Sequence, residues 1–315
     1  MEKIATREAY GKALAELGEK YDFVVLDADL AAATKTGIFK KKFPERFFDC
    51  GIAEANMTSV AAGLAAAGQI PFISSFAMFS AGRAFEQVRN SIAYPHLNVK
   101  IVGTHAGITV GEDGATHQCN EDLALMRSIP GMVVINPSDG TETRAAVEAA
   151  LKYEGPVYLR FSRYATPDLT GELEGFSYEI GRGVTLAEGG DVTIVACGYM
   201  VHLAMEAKDL LAEEGIQATV IDMHTVKPLD TELLLAAARK TGAVVTAEEH
   251  SINGGLGEAV ASTLSESYPV PVLRVGVADT FGRSGKVPPL LEMYGLTAAR
   301  IAERAREAVA LKKSK

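Results

Sequence analysis

The sequence predicts an α/β protein of two domains, and three observations carry that prediction. Its 315 residues, 48% of them apolar, are enough for two ordinary domains and their cores. Short continuous apolar runs alternate with segments of helical period, the pattern of a parallel sheet covered on both faces. Between 165 and 183 that pattern lapses into Pro, Asp, Gly and Glu, and then it resumes. The expected division is 1–164 for the first domain, 165–183 for a linker and 184–315 for a smaller second domain.

Thr6 is placed to cap a helix whose apolar residues Tyr10, Ala13, Leu14, Leu17 and Tyr21 share one face. FVVLDAD (23–29) follows as a buried strand ending in carboxylates. FFDC (47–50) leads into an Ala-rich helix from Glu54, apolar nearly all round, which predicts burial at a subunit contact. PFISSF (71–76) precedes a helix through 85–93, and KIVGTH (100–105) precedes a polar loop and a helix over 122–129. VVINP (133–137) leads to a helix starting near Asp139, and VYLRFS (157–162) closes the first set. The second set runs DVTIVACG (191–198), a helix to Gly215, ATVIDMHTV (218–226), a helix in the 230s, AVVTAEEH (243–250) and PVLRVGVAD (271–279). Pro288 and Pro289 suit a first helical turn, and Thr297 can cap the last helix.

Composition narrows the function. A net charge of −9, no Trp and no basic stripe argue against nucleic acid as a partner. None of the six histidines sits in a common zinc pattern, so no metal ligands are expected here. Three cysteines without framework spacing, Cys50, Cys119 and Cys197, fit a reducing, cytoplasmic setting. The N-terminal MEKIATREAY lacks the apolar core of a signal peptide, and no run approaches the ~20 apolar residues of a membrane span.

Polar residues gather at the carboxyl ends of the first domain's strands: Asp27, Asp29, Glu54, 74–76, 105–117, Arg160 and Arg163. That edge is where open parallel sheets bind ligands. Its most polar segment is THAGITVGEDGATHQ (104–118). A metal would need a tighter ligand spacing than His105 and His117 offer. A phosphate cradle would want a Gly-rich turn with a Lys, whereas Glu112 and Asp113 repel anions. Hydrogen bonding to a polyol suits histidine and aspartate better. A solvated glycine-rich turn is the plain alternative.

Seven segments together resemble the C-terminal two-thirds of transketolases, in order and over nearly the whole chain. They are FDCGIAEANM (48–57), SSFAMF (74–79), the 104–118 loop, RSIPGMVVINPSDGTE (127–142), LRFSR (159–163), DMHTVKPLD (222–230) and EEHSINGGLG (248–257). The resemblance implies a parallel-sheet pyrimidine-binding domain of the thiamine diphosphate-binding fold, followed by the family's mixed-sheet C-terminal domain. It implies thiamine diphosphate as cofactor, an electron sink for carbanions, together with Mg²⁺.

By the same resemblance Glu54 is the acid that hydrogen-bonds the cofactor's pyrimidine nitrogen. Burial of that carboxyl is expected to outweigh the pull of a helix N-terminus toward the anion, leaving a proton to share. Phe76 and Phe79 match aromatic residues packed on the pyrimidine, and Asp29 matches an aspartate near the cofactor's ring. His105 and His117 match the pair that binds sugar hydroxyls and relays protons. Asp113 matches the residue that reads the hydroxyl beside the carbonyl, and Arg163 the arginine that grips the substrate phosphate.

The family's diphosphate and Mg²⁺ domain, with its G-D-G and paired Asn, has no counterpart here. The resemblance therefore implies a split transketolase, with this chain as its C-terminal subunit. A separate N-terminal subunit would hold most of the diphosphate and Mg²⁺. A dimer core of this chain would form a heterotetramer with it, acting on sugar phosphates. Ala33, Ala106 and Gly82 depart from the family's serine, aspartate and third aromatic, which allows a shifted or smaller substrate. The rivals are a deoxyxylulose-phosphate synthase-like enzyme, a 2-oxo acid dehydrogenase β subunit, and a non-catalytic partner-binding subunit.

Overall fold

The computed structural model describes residues 3–314. Its strands, in chain order, are β1 (Lys3–Ala5), β2 (Val24–Asp27), β3 (Phe47–Asp49), β4 (Pro71–Phe76), β5 (Lys100–Thr104), β6 (Val133–Ile135) and β7 (Val157–Arg160). There follow β8 (Ala165–Pro167), β9 (Val184–Ala187), β10 (Val192–Ala196), β11 (Ala218–Asp222), β12 (Thr225–Lys227), β13 (Val244–Ser251) and β14 (Val272–Val277). The first sheet has the order β12-β6-β7-β5-β4-β2-β3 and is parallel except for β12. The second has the order β14-β13-β10-β11-β9, parallel except for β9.

The alternation of side chains along each strand divides the core between the two faces of the first sheet. Val25, Phe72, Val102 and Leu159 meet Tyr10, Leu14 and Leu17 of the helix Thr6–Leu17 on one face. Val24, Leu26, Ile73 and Ile101 meet Met57 and Ala61 of the helix Glu54–Ala66, and Ile92, on the other. That second cluster runs on through Met126 to Val195, Ile221 and Leu264, so the two units share one buried surface.

Three sequence expectations are corrected. Thr6 does not cap its helix: it is the first helical residue, and its hydroxyl accepts the Ser162 amide at 2.8 Å, tying the helix start to the end of β7. The helix expected over 85–93 starts at Met78 and is wound as π turns, Met78–Arg83 and Val88–Ala93, around a short α turn, Phe85–Gln87. The run 218–226 is two strands: β11 lies in the second sheet, and β12 crosses over to pair antiparallel with β6 of the first. Within 165–183 the short strand β8 pairs with β1. Thr297 does cap its helix, accepting from the Arg300 amide. Among the described residues no helix is long and apolar enough to cross a membrane.

Candidate functional site

Parallel pairing of β4 with β5 sets Phe76 beside Thr104, and therefore beside His105. The two rings stack with centroids 3.8 Å apart. Phe79, the second residue of the π-wound segment, stacks on Phe76 at 5.9 Å. His117 meets Phe79 edge-on at 5.4 Å and Phe76 at 6.0 Å. Two histidines twelve residues apart thus converge on one aromatic pair, because the glycine-rich loop doubles back. One such glycine is obligatory on two counts. Gly107 has φ +78°, and a Cβ there would lie 2.5 Å from the Glu249 carboxyl carbon.

His105 is buried, 3% exposed, with φ +54°, a left-handed conformation that non-glycine residues adopt only when their surroundings hold them there. The Arg7 guanidinium donates to its Nε2 at 2.9 Å. That leaves Nδ1 as the protonated nitrogen, donating to the Thr104 hydroxyl at 2.9 Å, which in turn donates to the Ser75 carbonyl. Burial, reinforced by Arg7 and Arg163, pushes the His105 pKa down to about 3. The ring is a neutral hydrogen-bonding group with a fixed tautomer.

Glu54 opens its helix and is 3% exposed, as the sequence predicts for a buried acid. The sequence reading missed its partner. Arg83 donates to both Glu54 oxygens at 3.2 Å, and its guanidinium lies 4.6 Å over the Phe79 ring. Glu54 is therefore a charge-paired carboxyl beside an aromatic face.

Arg163 donates to the Val110 carbonyl at 2.6 Å and to Asp113 at 3.4 Å. Arg163 and Arg7 line one cavity of about 370 Å³, with Thr109, Tyr164 and Lys286 also in its wall. Arg7 was not singled out in the sequence. Its signal, an arginine directly after the tied helix start, is legible only once β7 is seen beside it. Asp29 stands apart: exposed, at φ +60°, its amide bonds the Asp49 carboxylate and not the other candidates. Asp27 and Arg160, at the same sheet edge, are internal braces. Asp27 accepts from Thr34 and Thr36, with burial pushing its pKa up to about 6. Arg160 is locked to Asp122 at 2.8 Å.

The stacked phenylalanines and the buried Glu54 fit a flat, nitrogen-containing heterocycle. For a diphosphate and its metal, no group of three or more His, Cys, Asp or Glu converges among the described residues.

This is the two-unit α/β architecture of thiamine-enzyme domains. The first unit matches the family described as Transketolase, pyrimidine binding domain, over residues 2–168, and the second matches Transketolase, C-terminal domain, over residues 181–301. The chain belongs to the transketolase family, whose members use thiamine diphosphate and a divalent metal.

A putative transketolase C-terminal section from Methanocaldococcus jannaschii is 51% identical, covering 96% of this chain and 95% of that protein. The 6-deoxy-6-sulfo-D-fructose transketolase subunit SqwH of Clostridium sp. (strain MSTE9) is 49% identical over 96% of this chain and 93% of that one. A solved structure described as a split gene transketolase, inactive beta4 tetramer, superposes with a TM-score of 0.90 at 56% identity, covering 99% and 100% of the two chains.

Proposed function

We propose that this chain is the C-terminal subunit of a transketolase. With a separate N-terminal subunit it transfers a two-carbon ketol unit from a ketose phosphate to an aldose phosphate. The observation that carries the reading is the convergence of His105, His117, Phe76 and Phe79 beside a cavity walled by Arg7 and Arg163. Thiamine diphosphate, when bound, supplies an electron sink for the carbanion formed as a carbon–carbon bond breaks.

Glu54, Phe76 and Phe79 would hold the pyrimidine half, with Asp29 at the rim. Neutral His105, its Nδ1 proton committed to Thr104, would accept from a sugar hydroxyl at Nε2 in place of Arg7. His117, half-buried with its Nδ1 on the Thr116 hydroxyl at 2.9 Å, has Nε2 for proton relay. Asp113 reads a hydroxyl, and Arg163 with Arg7 holds the terminal phosphate. Domain limits of 1–164 and 184–315, joined by 165–183, suit this division of labour.

Relatives spanned almost end to end by this chain support the split arrangement, and one bears the name of a subunit. The split gene transketolase that superposes on this chain is an inactive beta4 tetramer, which supports self-association that lacks turnover without a partner. We take the diphosphate and Mg²⁺ to lie mainly on that partner, in a heterotetramer. The three free cysteines suit a cytoplasmic setting.

The test combines this chain with a candidate N-terminal subunit and supplies xylulose 5-phosphate plus ribose 5-phosphate, against pyruvate plus an electron acceptor. Ketol transfer in the first mixture is expected. Oxidation of pyruvate in its place overturns the reading.

A further inference from the structure

We propose that Lys286, carried by the second unit, is a specificity-determining residue that selects substrates ending in a phosphate group. This rests on the ketol-transfer reading above and extends it to a domain that supplies none of the residues discussed so far as ligand-binding.

The wall of the 370 Å³ cavity joins Arg7 and Arg163 of the first unit to Gly285 and Lys286 of the second. The two arginines are already engaged. Arg7 bonds the Ala33 carbonyl at 2.8 Å and His105 at 2.9 Å, and Arg163 bonds Val110 and pairs with Asp113. Glu112 adds a second carboxylate to the cavity's surroundings. Two arginines against two carboxylates leave no net charge. Lys286 is exposed, forms no ion pair among the described residues, and supplies the positive excess.

Its position is fixed by packing. Lys286 immediately precedes the helix Val287–Tyr294, and its carbonyl accepts the Leu290 amide at 3.2 Å. The neighbouring Ser284 hydroxyl donates to the Glu112 carbonyl at 2.5 Å, and the Arg283 carbonyl accepts from the Gln118 side chain at 3.0 Å. A Cβ on Gly114 would come within 3.2 Å of Ser284, so the sugar loop and the segment bearing Lys286 lie in direct contact. A lysine so placed acts as a mobile point charge, able to reach a terminal oxyanion that the arginines hold only in part.

The experiment uses the complex with its N-terminal subunit, hydroxypyruvate as ketol donor, and two acceptors differing only in phosphate, ribose 5-phosphate and ribose. For Lys286→Met we expect KM for ribose 5-phosphate to rise about tenfold with kcat within about twofold, kcat/KM for ribose to stay unchanged, and Lys286→Arg to restore most of the loss. An equal loss with both acceptors, or none with either, overturns the proposal. Titration of the purified chain with inorganic phosphate separates this from the parent reading. Weaker phosphate binding by the methionine variant upholds the role of Lys286 even if the parent complex transfers no ketol unit; unchanged binding refutes it.

Discussion

The neutral state of His105 can be tested through His105→Asn. Asparagine tolerates the left-handed φ of +54° better than other residues and offers Arg7 a side-chain oxygen, so the substitution removes the titrating ring with little added strain. Burial holds the folded-state pKa at about 3, against an ordinary 6.5. The unfolded chain therefore binds the proton first as pH falls. The stabilising effect of a neutral ring is fully present above pH 6.5 and is lost progressively toward pH 3.

Between pH 6.5 and pH 5 that is roughly 1.5 pH units at about 1.36 kcal/mol each, or about 2 kcal/mol. Buried carboxyls such as Asp27 and Glu249, with pKa values pushed up to about 6 and about 7, act with the opposite sign. Only the difference between parent and variant is read. Urea denaturation followed by circular dichroism at pH 7 and pH 5, at fixed protein concentration, should show the parent losing about 2 kcal/mol more than the variant. Equal losses would refute the neutral, desolvated imidazole.

Three further outcomes follow from the geometry. Gly107→Ala combines a left-handed backbone with a Cβ 2.5 Å from Glu249, and should cost about 2–4 kcal/mol in thermal or urea denaturation. Gly175→Ala, at φ +74° with nothing within 4 Å, should cost only about 1–2 kcal/mol, and a larger loss there than at Gly107 would contradict the packing argument. Glu54→Gln keeps the side chain's shape but removes its charge and acidity. Turnover of the reconstituted complex should fall about 10²–10⁴-fold while the variant chain keeps its fold by circular dichroism, and a fully active variant would remove Glu54 from the chemistry.

The parallel strands of the first sheet are legible in the sequence because each carries a short apolar run, and the position of the 104–118 loop at the sheet's carboxyl edge follows directly. What stays hidden depends on approach between distant segments. Arg7 and Arg83 look like ordinary surface arginines until β7 and the π-wound segment bring them to His105 and Glu54. The run 218–226 reads as one strand because Met223 and Val226 carry its apolar pattern on past Asp222. Nothing in its periodicity shows that Thr225–Lys227 belongs to the other unit's sheet. Thr6 has the right residue type for a cap, but tertiary demand from Ser162 took its hydroxyl.

The crossover of β12 also bears on how the molecule can be cut. A fragment ending near residue 164 would lose that strand and expose the backbone amides and carbonyls of Val133–Ile135 as a bare template for pairing with other chains. The halves are therefore poor candidates for expression in isolation, and a truncated first half should be prone to clumping, the more so because its buried cluster continues into the second unit.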